Sequence, residues 1–333
     1  MIAERILDIQ GKRPELGEII VTLFEFCDLT CLFCNQDHDS VVGMDTVVDK
    51  FQQIKSAIDS LRLKGKKRVA VHIMGGEVFS DKVDDKLFDD YATLVNLLRE
   101  HQKTINFPIE ISFVTNFIWT KRERIEKFVE ENDIQIMTSY DPSGRFNTNT
   151  LQTFLSNVEY FKDRIESVNV VMTKPNMEMF IKDNVPGFEF LYNNFTVFFD
   201  HYGPGVNNKF LSPKDHDLRD FMIYMVDNWP NCEPFKSFPE KKKTLKMACM
   251  ETLTIMPDGY WGGCGLFEHL EKKIPPKNVN EQKWFDDYNC LECEHLNRCT
   301  LGCFMSNHVN EMRTQEECWL KEVYDHVDEK MVK

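Results

Sequence analysis

No stretch of the 333-residue chain stays apolar over the roughly 20 positions that a bilayer-spanning helix needs, so a membrane-spanning helix is not expected. The opening residues Met1-Ile2-Ala3-Glu4-Arg5 place an acid where a secretory signal wants basic and then apolar residues. A cytoplasmic protein is the expectation. Basic excess is missing too: 40 Lys and Arg against 54 Asp and Glu leave a net charge of −14. A broad face for bare duplex nucleic acid needs clustered basic residues and is not expected here. Glycine, at 15 residues, is far too sparse for a collagen-like chain. An apolar share of 42% fills a real core and excludes a disordered one. Internal repeats and low-complexity tracts are absent.

Cysteine, by contrast, is plentiful. Eleven cysteines in a reducing compartment are not expected to persist as disulfides, which leaves thiolate ligation or reactive thiols as their employment. Their spacing and the frame around them decide which.

The first two thirds of the chain alternate β-rich runs with longer amphipathic stretches. Strands are predicted near Glu18–Phe26, Arg68–Gly75, Ile109–Asn116, Ile134–Tyr140, Ser167–Lys174 and Phe195–Tyr202. Helices are predicted near Met44–Leu63, Lys82–His101, Lys121–Glu131, Thr148–Lys162, briefly after Pro175, and over Ser212–Asp227. Six βα units mean a parallel sheet and favour an α/β partial (β/α)6 barrel. The run Val69–Met74 is apolar on both faces, as a covered parallel sheet requires. Past Asn228 the texture turns to Pro, Lys and Cys. The predicted divisions are an N-terminal extension over 1–17, the barrel over 18–228, a linker over 229–248 containing Glu240-Lys241-Lys242-Lys243, and a cysteine-rich unit over 249–333 with a C-terminal helix. Ligation supplies much of that last unit's stability.

Cys27, Cys31 and Cys34 follow the first strand as C-x3-C-x2-C. Three thiolates brought together locally suit a 4Fe-4S cube with one open iron, since no fourth cysteine is near. A zinc site with a borrowed ligand, or free buried thiols, are the alternatives. With Phe33 before the last cysteine, the loop resembles that of the radical S-adenosylmethionine (radical SAM) enzymes, which follows the first strand of a partial, TIM-like barrel. The resemblance implies that Cys27, Cys31 and Cys34 hold a catalytic cluster whose open iron chelates the amino and carboxylate groups of S-adenosylmethionine. It also implies that reductive cleavage releases a 5′-deoxyadenosyl radical that abstracts hydrogen, and that Phe33 lies beside the adenine.

At the end of the second strand, Met74-Gly75-Gly76-Glu77 resembles the family's methionine-binding motif. Glycines let backbone approach a ligand, and Glu77 offers acceptors to an ammonium group. Thr115 and Asn116 end the third strand; Ser139, Tyr140 and Asp141 end the fourth. Similar families place such rim residues on the SAM ribose, while Asx turns are the plain alternative for Asn116 and Asp141. Arg145 is a candidate for the SAM carboxylate. Thr173, with Lys174, is a candidate lining residue.

Downstream, Cys249, Gly259 and Cys264 are followed by Cys290-x2-Cys293-x5-Cys299-x3-Cys303 and then Cys318. C-x2-C pairs also occur in zinc ribbons. The whole framework resembles the SPASM extension of radical SAM enzymes, a small C-terminal iron-sulfur domain with two auxiliary 4Fe-4S clusters. Carried over, Cys249, Cys264 and Cys303 bind one cluster and Cys290, Cys293, Cys299 and Cys318 the other. Cys232, seventeen residues before Cys249, is the candidate fourth ligand of the first. Pro257-Asp258-Gly259-Tyr260 reads as a hairpin turn between Leu253–Met256 and Tyr260–Cys264.

Three clusters imply radical chemistry with a route out for an electron, and an electron donor such as a flavodoxin or ferredoxin. Sulfatase maturases of this group carry Asp directly after the second SPASM cysteine; Gly265 stands there instead. Proton handling is therefore sought at Tyr140, His201, Tyr202 or Glu268, above all at His201 and Tyr202 as catalytic candidates at the end of the sixth strand. Only 26 residues precede Cys27, too few for the leader-binding module of many peptide-modifying relatives. The expected function is oxidation or crosslinking of a side chain in a peptide or protein. The alternatives are the same chemistry on a nucleoside, nucleotide or other small molecule, modified bases included, and a zinc-stabilised binding module.

Overall fold

The computed structural model describes residues 15–332 apart from 35, 37, 39, 41, 45, 203–208, 240–251, 260, 263–288, 297 and 300–317. The alternation of strand and helix is β1 (Leu16–Thr22), α1 (Val47–Leu63), β2 (Arg68–Met74), α2 (Asp85–Ile105), β3 (Ile109–Thr115), α3 (Arg122–Glu131), β4 (Gln135–Ser139), α4 (Thr148–Tyr160), β5 (Ile165–Met172), α5 (Lys174–Ile181), α6 (Phe188–Asn194), β6 (Thr196–His201) and α7 (Asp215–Asn228). Then come β7 (Thr252–Ile255), β8 (Trp261–Gly262) and α8 (Trp319–Val332). The sheet runs β6-β5-β4-β3-β2-β1-β7-β8, parallel except for β7 against β8. Seven parallel strands thus make a curled half-barrel, the α/β architecture that the six βα units predict.

Alternation along the strands separates two chemistries. One set of positions, among them Ile19 and Val21, Val69, Val71 and Ile73, Ile111 and Phe113, Val168 and Val170, and Val197 and Phe199, lies in the apolar core. The alternate set faces the concave side: Glu18 and Ile20, His72 and Met74, Ser112 and Val114, Met137 and Ser139, Asn169 and Val171, Phe198 and Asp200. Most of these are half-buried or exposed. The expectation that Val69–Met74 is covered on both faces holds fully for the face of Val69, Val71 and Ile73, while on the other Ala70 is buried and His72 and Met74 are half-buried.

Two elements differ from the sequence reading. The hairpin over the Gly259 turn forms as expected, with Ile255 opposite Trp261 and Gly259 at φ +82°, but β7 also adds in parallel to β1, with Glu18 opposite Thr252. Buried Lys50 reinforces this join by donating from Nζ to the carbonyls of Met256 at 3.2 Å and Pro257 at 3.4 Å. Residues 231–234 likewise pair with the other edge, where Glu233 N–H donates to the Val197 carbonyl and the Glu233 carbonyl accepts from Phe199, each at 2.8 Å. Phe235 and Phe238 pin that segment to the core. Of the predicted divisions, residues 1–14 and 240–248 lie outside the described residues. Among the described residues no helix is long and apolar enough to cross a membrane.

Candidate active site

Beyond β1 the chain stays extended for four more residues alongside the end of β2. Leu23 N–H donates to the Met74 carbonyl, Gly76 N–H to Phe24, and Glu77 N–H to Phe26, all at 2.8 Å. Gly76 permits this approach, since a Cβ there would stand 1.8 Å from the Phe26 carbonyl oxygen. The zipper delivers Cys27 to the carboxyl end of the barrel. Cys31 then turns back, its carbonyl accepting from Cys34 N–H at 3.0 Å.

Cys31 and Cys34 lie within electrostatic reach of Cys27, whose thiol burial pushes up to about 12. Cys34 is raised for the same reason, with the Gln36 backbone and Arg145 opposing. Sulfur in this loop is met by donors, Leu29 N–H at 3.4 Å and Asn116 Nδ2 at 3.9 Å on Cys27 Sγ, and the Arg145 guanidinium on Cys31. Gln36 ties Cys34 to the glycine turn, its Oε1 3.7 Å from Cys34 Sγ and its Nε2 donating to the Gly75 carbonyl at 2.9 Å.

Glu77 is 1% exposed and joins two strand ends. Oε1 accepts from Phe79 N–H at 2.9 Å and Thr115 Oγ1 at 2.5 Å, and Oε2 from Asn116 N–H at 2.6 Å. Burial outweighs these donors and pushes the carboxyl up to about 7. Thr115 also accepts from Trp119 Nε1 at 2.9 Å. Asn116 makes the Asx turn, its Oδ1 accepting from Ile118 N–H at 2.8 Å, while its Nδ2 lies 3.9 Å from Cys27 Sγ.

Arg145 is the hub between loop and rim. Its Nη1 donates to the Ser139 carbonyl at 2.8 Å and to Ser139 Oγ at 2.6 Å, its Nη2 lies 3.2 Å from Asp141 Oδ2, and its Cζ sits 5.6 Å from the Phe33 ring centroid. Asp141 is fully buried, which raises its carboxyl against the pull of Arg145; Oδ1 accepts from Val171 N–H and Asn176 Nδ2. Tyr140 is buried, which raises its hydroxyl well above the ordinary phenol range, and it donates to the Pro186 carbonyl at 2.8 Å. Thr173 caps α5 by accepting from Asn176 N–H at 3.3 Å and is 1% exposed.

His201 and Tyr202 lie off this cluster. His201 meets the Trp319 ring of α8 edge-on at 6.0 Å, and desolvation pushes its imidazole down to about 4. Tyr202 is 4% exposed. The lumen position at this strand end is Asp200, one residue earlier, which accepts from Asn169 Nδ2 at 2.8 Å. Strand parity carries the signal for Asp200, Asn169 and Glu18, which motif spacing does not reveal.

In the C-terminal region, Cys249, Cys264, Cys303, Gly265 and Glu268 lie outside the described residues. Burial takes the Cys290 thiol up to about 12, with Cys318 and Cys293 adding to it, and burial and Cys293 also raise Cys318. The Cys318 carbonyl begins α8 by accepting from Lys321 N–H at 3.0 Å, and Leu320 and Lys321 N–H groups favour its thiolate, as a helix N-terminus does. Cys299 packs against the core, its N–H bonded to the His295 carbonyl at 2.8 Å. Cys232 is 1% exposed within the apolar core. Glu294, His295 and Asp325 cluster tightly enough to suggest a metal site. However, His295 Nε2 bonds Asp325 at 2.7 Å and Nδ1 meets Arg298 at 3.1 Å, so both ring nitrogens are engaged.

The residues present fit an iron-sulfur cluster and a zwitterionic ligand beside it. Three sulfurs on one loop are faced by N–H donors and a guanidinium, which lower the cost of thiolate charge. Arg145 Nε is buried without a hydrogen-bond partner, so the rim retains polar capacity for a ligand.

Residues 21–183 match the family model described as the Radical SAM superfamily. No curated protein matches. The solved structure of native anSMEcpe with bound AdoMet aligns with TM-score 0.65 and 17% identity, over 95% of this chain and 98% of that one. Streptococcus suis SuiB bound to precursor peptide SuiA aligns with TM-score 0.54 and 18% identity, over 95% of this chain and 78% of that one. SuiB bound to S-adenosylmethionine aligns equally, over 80% of that chain. At such identities these two proteins share the fold with this chain.

Proposed function

We propose, on the premise that residues 21–183 form a radical SAM domain, that this enzyme oxidises or crosslinks a side chain of a peptide or protein. When bound, the cluster and S-adenosylmethionine supply a 5′-deoxyadenosyl radical able to take hydrogen from an unactivated carbon. The observation that carries this reading is the placement of Cys27, Cys31 and Cys34 on one loop at the carboxyl end of the sheet, beside the Gly75–Glu77 turn.

The chain's own residues then have separable tasks. Cys27, Cys31 and Cys34 hold the catalytic cluster, and Asn116, Leu29 and Arg145 stabilise their sulfur charge. Gly75 and Gly76 bring backbone against the site, and Glu77 keeps the ends of β2 and β3 together beside the cysteine loop. Ser139, Asp141 and Arg145 form the polar rim for S-adenosylmethionine, with Phe33 as an apolar wall. Thr173 positions Asn176, and through it Asp141. Cys290, Cys293, Cys299 and Cys318 hold one auxiliary cluster; Cys249, Cys264 and Cys303, with Cys232, hold the other. Clusters held there would supply a route out for an electron, and a flavodoxin or ferredoxin would be the donor for the catalytic one.

SuiB, which binds a precursor peptide, supports a peptide substrate. The test is 5′-deoxyadenosine formation by the anaerobically loaded enzyme in the presence of a low-molecular-mass cell extract. Stimulation that disappears when the extract is first treated with protease is expected. Stimulation that survives protease and is lost on nuclease or phosphatase treatment contradicts a peptide substrate and favours a nucleotide.

A further inference from the structure

The lumen contains acids of two kinds. Glu110 is paired with Arg68 at 2.7 Å and Asp141 with Arg145 at 3.2 Å. Asp200 and Glu18 have no basic side chain at ion-pair distance among the described residues. Among the described residues Asp200 bonds Asn169 alone, and Glu18 Oε2 accepts from Thr252 Oγ1 alone, at 3.3 Å.

Beside Asp200 the unused group is an acceptor. Asn169 spends its amide donor on Asp200, and its Oδ1 is buried without a partner. A buried oxygen left without a donor costs about 1–3 kcal/mol, so Asn169 Oδ1, beside Asp200, marks where a ligand's N–H group belongs. Val171 lies opposite Asp200 in the ladder, and Phe198 shares its face two residues back. Both are half-buried and apolar, suited to a methylene stem.

The geometry points to a subsite for a cationic side chain, the ammonium of lysine or the guanidinium of arginine in the substrate peptide, held by Asp200 and the Asn169 carbonyl, with Glu18 contributing charge from across the lumen. This rests on the radical SAM reading above and names the substrate residue that reading leaves open. The electrostatics agree, since Asp141 and Glu18 add to desolvation in pushing the Asp200 carboxyl up, to about 6. An added cation relieves that repulsion.

The test uses the cluster-loaded enzyme with S-adenosylmethionine and four probes, N-acetyl-Gly-X-Gly-amides with X as lysine, arginine, norleucine or glutamate, followed by equilibrium dialysis up to millimolar concentration. Lysine or arginine binding about tenfold or more tighter than norleucine is expected, as a charged hydrogen bond supplies. Asp200→Asn should erase that preference and Asp200→Glu retain part of it. Glu18→Gln, on a different strand, should reduce it and keeps the question answerable should the first variant lose its iron. Equal binding of all four probes, including none at all, overturns the subsite. So does a preference that survives both neutral variants, or an Asp200→Asn protein that loses S-adenosylmethionine affinity instead. Because cofactor cleavage is measured on the same samples, failure of the subsite is distinct from failure of the radical SAM reading.

Discussion

At the scale of single residues, the site depends on close approach as much as on ligand chemistry. Gly76 has backbone where a side chain would begin, 1.8 Å from the Phe26 oxygen. Gly76→Ala must push the cysteine loop off β2, and overpacking of this kind costs roughly 1–3 kcal/mol. A lower denaturation midpoint together with reduced iron loading is the expected pair of results; unchanged iron loading would count against the zipper as the device that places Cys27. Asp200 makes a prediction about pH. Its carboxyl rises from 3.8 to about 6 in the fold, chiefly through desolvation by the lumen walls. The folded state therefore favours the proton, so this stabilisation is full below the unfolded value and is lost as pH rises through about 6. Asp200→Asn should raise the melting temperature of the loaded protein at pH 8 and do so less at pH 5, as read by thermal unfolding under argon. An equal shift at both pH values contradicts a raised Asp200 carboxyl.

At the scale of elements, legibility followed periodicity. Long strands and helices such as β2 and α2 carry their pattern over enough residues to be read directly. The seven-residue α6, Phe-Glu-Phe-Leu-Tyr-Asn-Asn, is too short and too aromatic to separate from a loop by period alone. The register of β7 beside β1 is a pairing between residues more than two hundred positions apart, and no local pattern encodes it. Motif residues were legible because the cysteine and glycine spacings are themselves the signal. Lumen residues were not, since choosing Asp200 over His201 requires knowing which parity faces the core. Thr173 illustrates the same limit, because a cap and a ligand contact ask for the same hydroxyl at a strand end. The β7 join makes its own prediction. Lys50→Met keeps the stem but removes the donor to the Met256 and Pro257 carbonyls. A loss of about 1–3 kcal/mol for each carbonyl left unpaired is expected from urea unfolding, and a neutral substitution would show that the lysine does not fasten the strand.

At the scale of the whole molecule, one face of the half-barrel sheet is less covered than the other among the described residues and mixes polar with apolar side chains, and the cysteine loop stands at the carboxyl edge of that face. Cys318 leads into α8, which meets the barrel where Arg219 of α7 pairs with Glu322 at 3.1 Å and Lys330 with Asp227 at 3.0 Å. A chain of three four-iron clusters predicts about twelve irons per chain after anaerobic reconstitution, with a value near four contradicting the auxiliary pair. The central claim concerns the first loop, and S-adenosylmethionine cleavage addresses it most directly. The reconstituted enzyme, given a strong reductant, should form 5′-deoxyadenosine, and the Cys27→Ala, Cys31→Ala, Cys34→Ala triple variant should form none while keeping the iron of its other clusters. Formation of 5′-deoxyadenosine by the triple variant, or none by the intact iron-loaded enzyme, would contradict it.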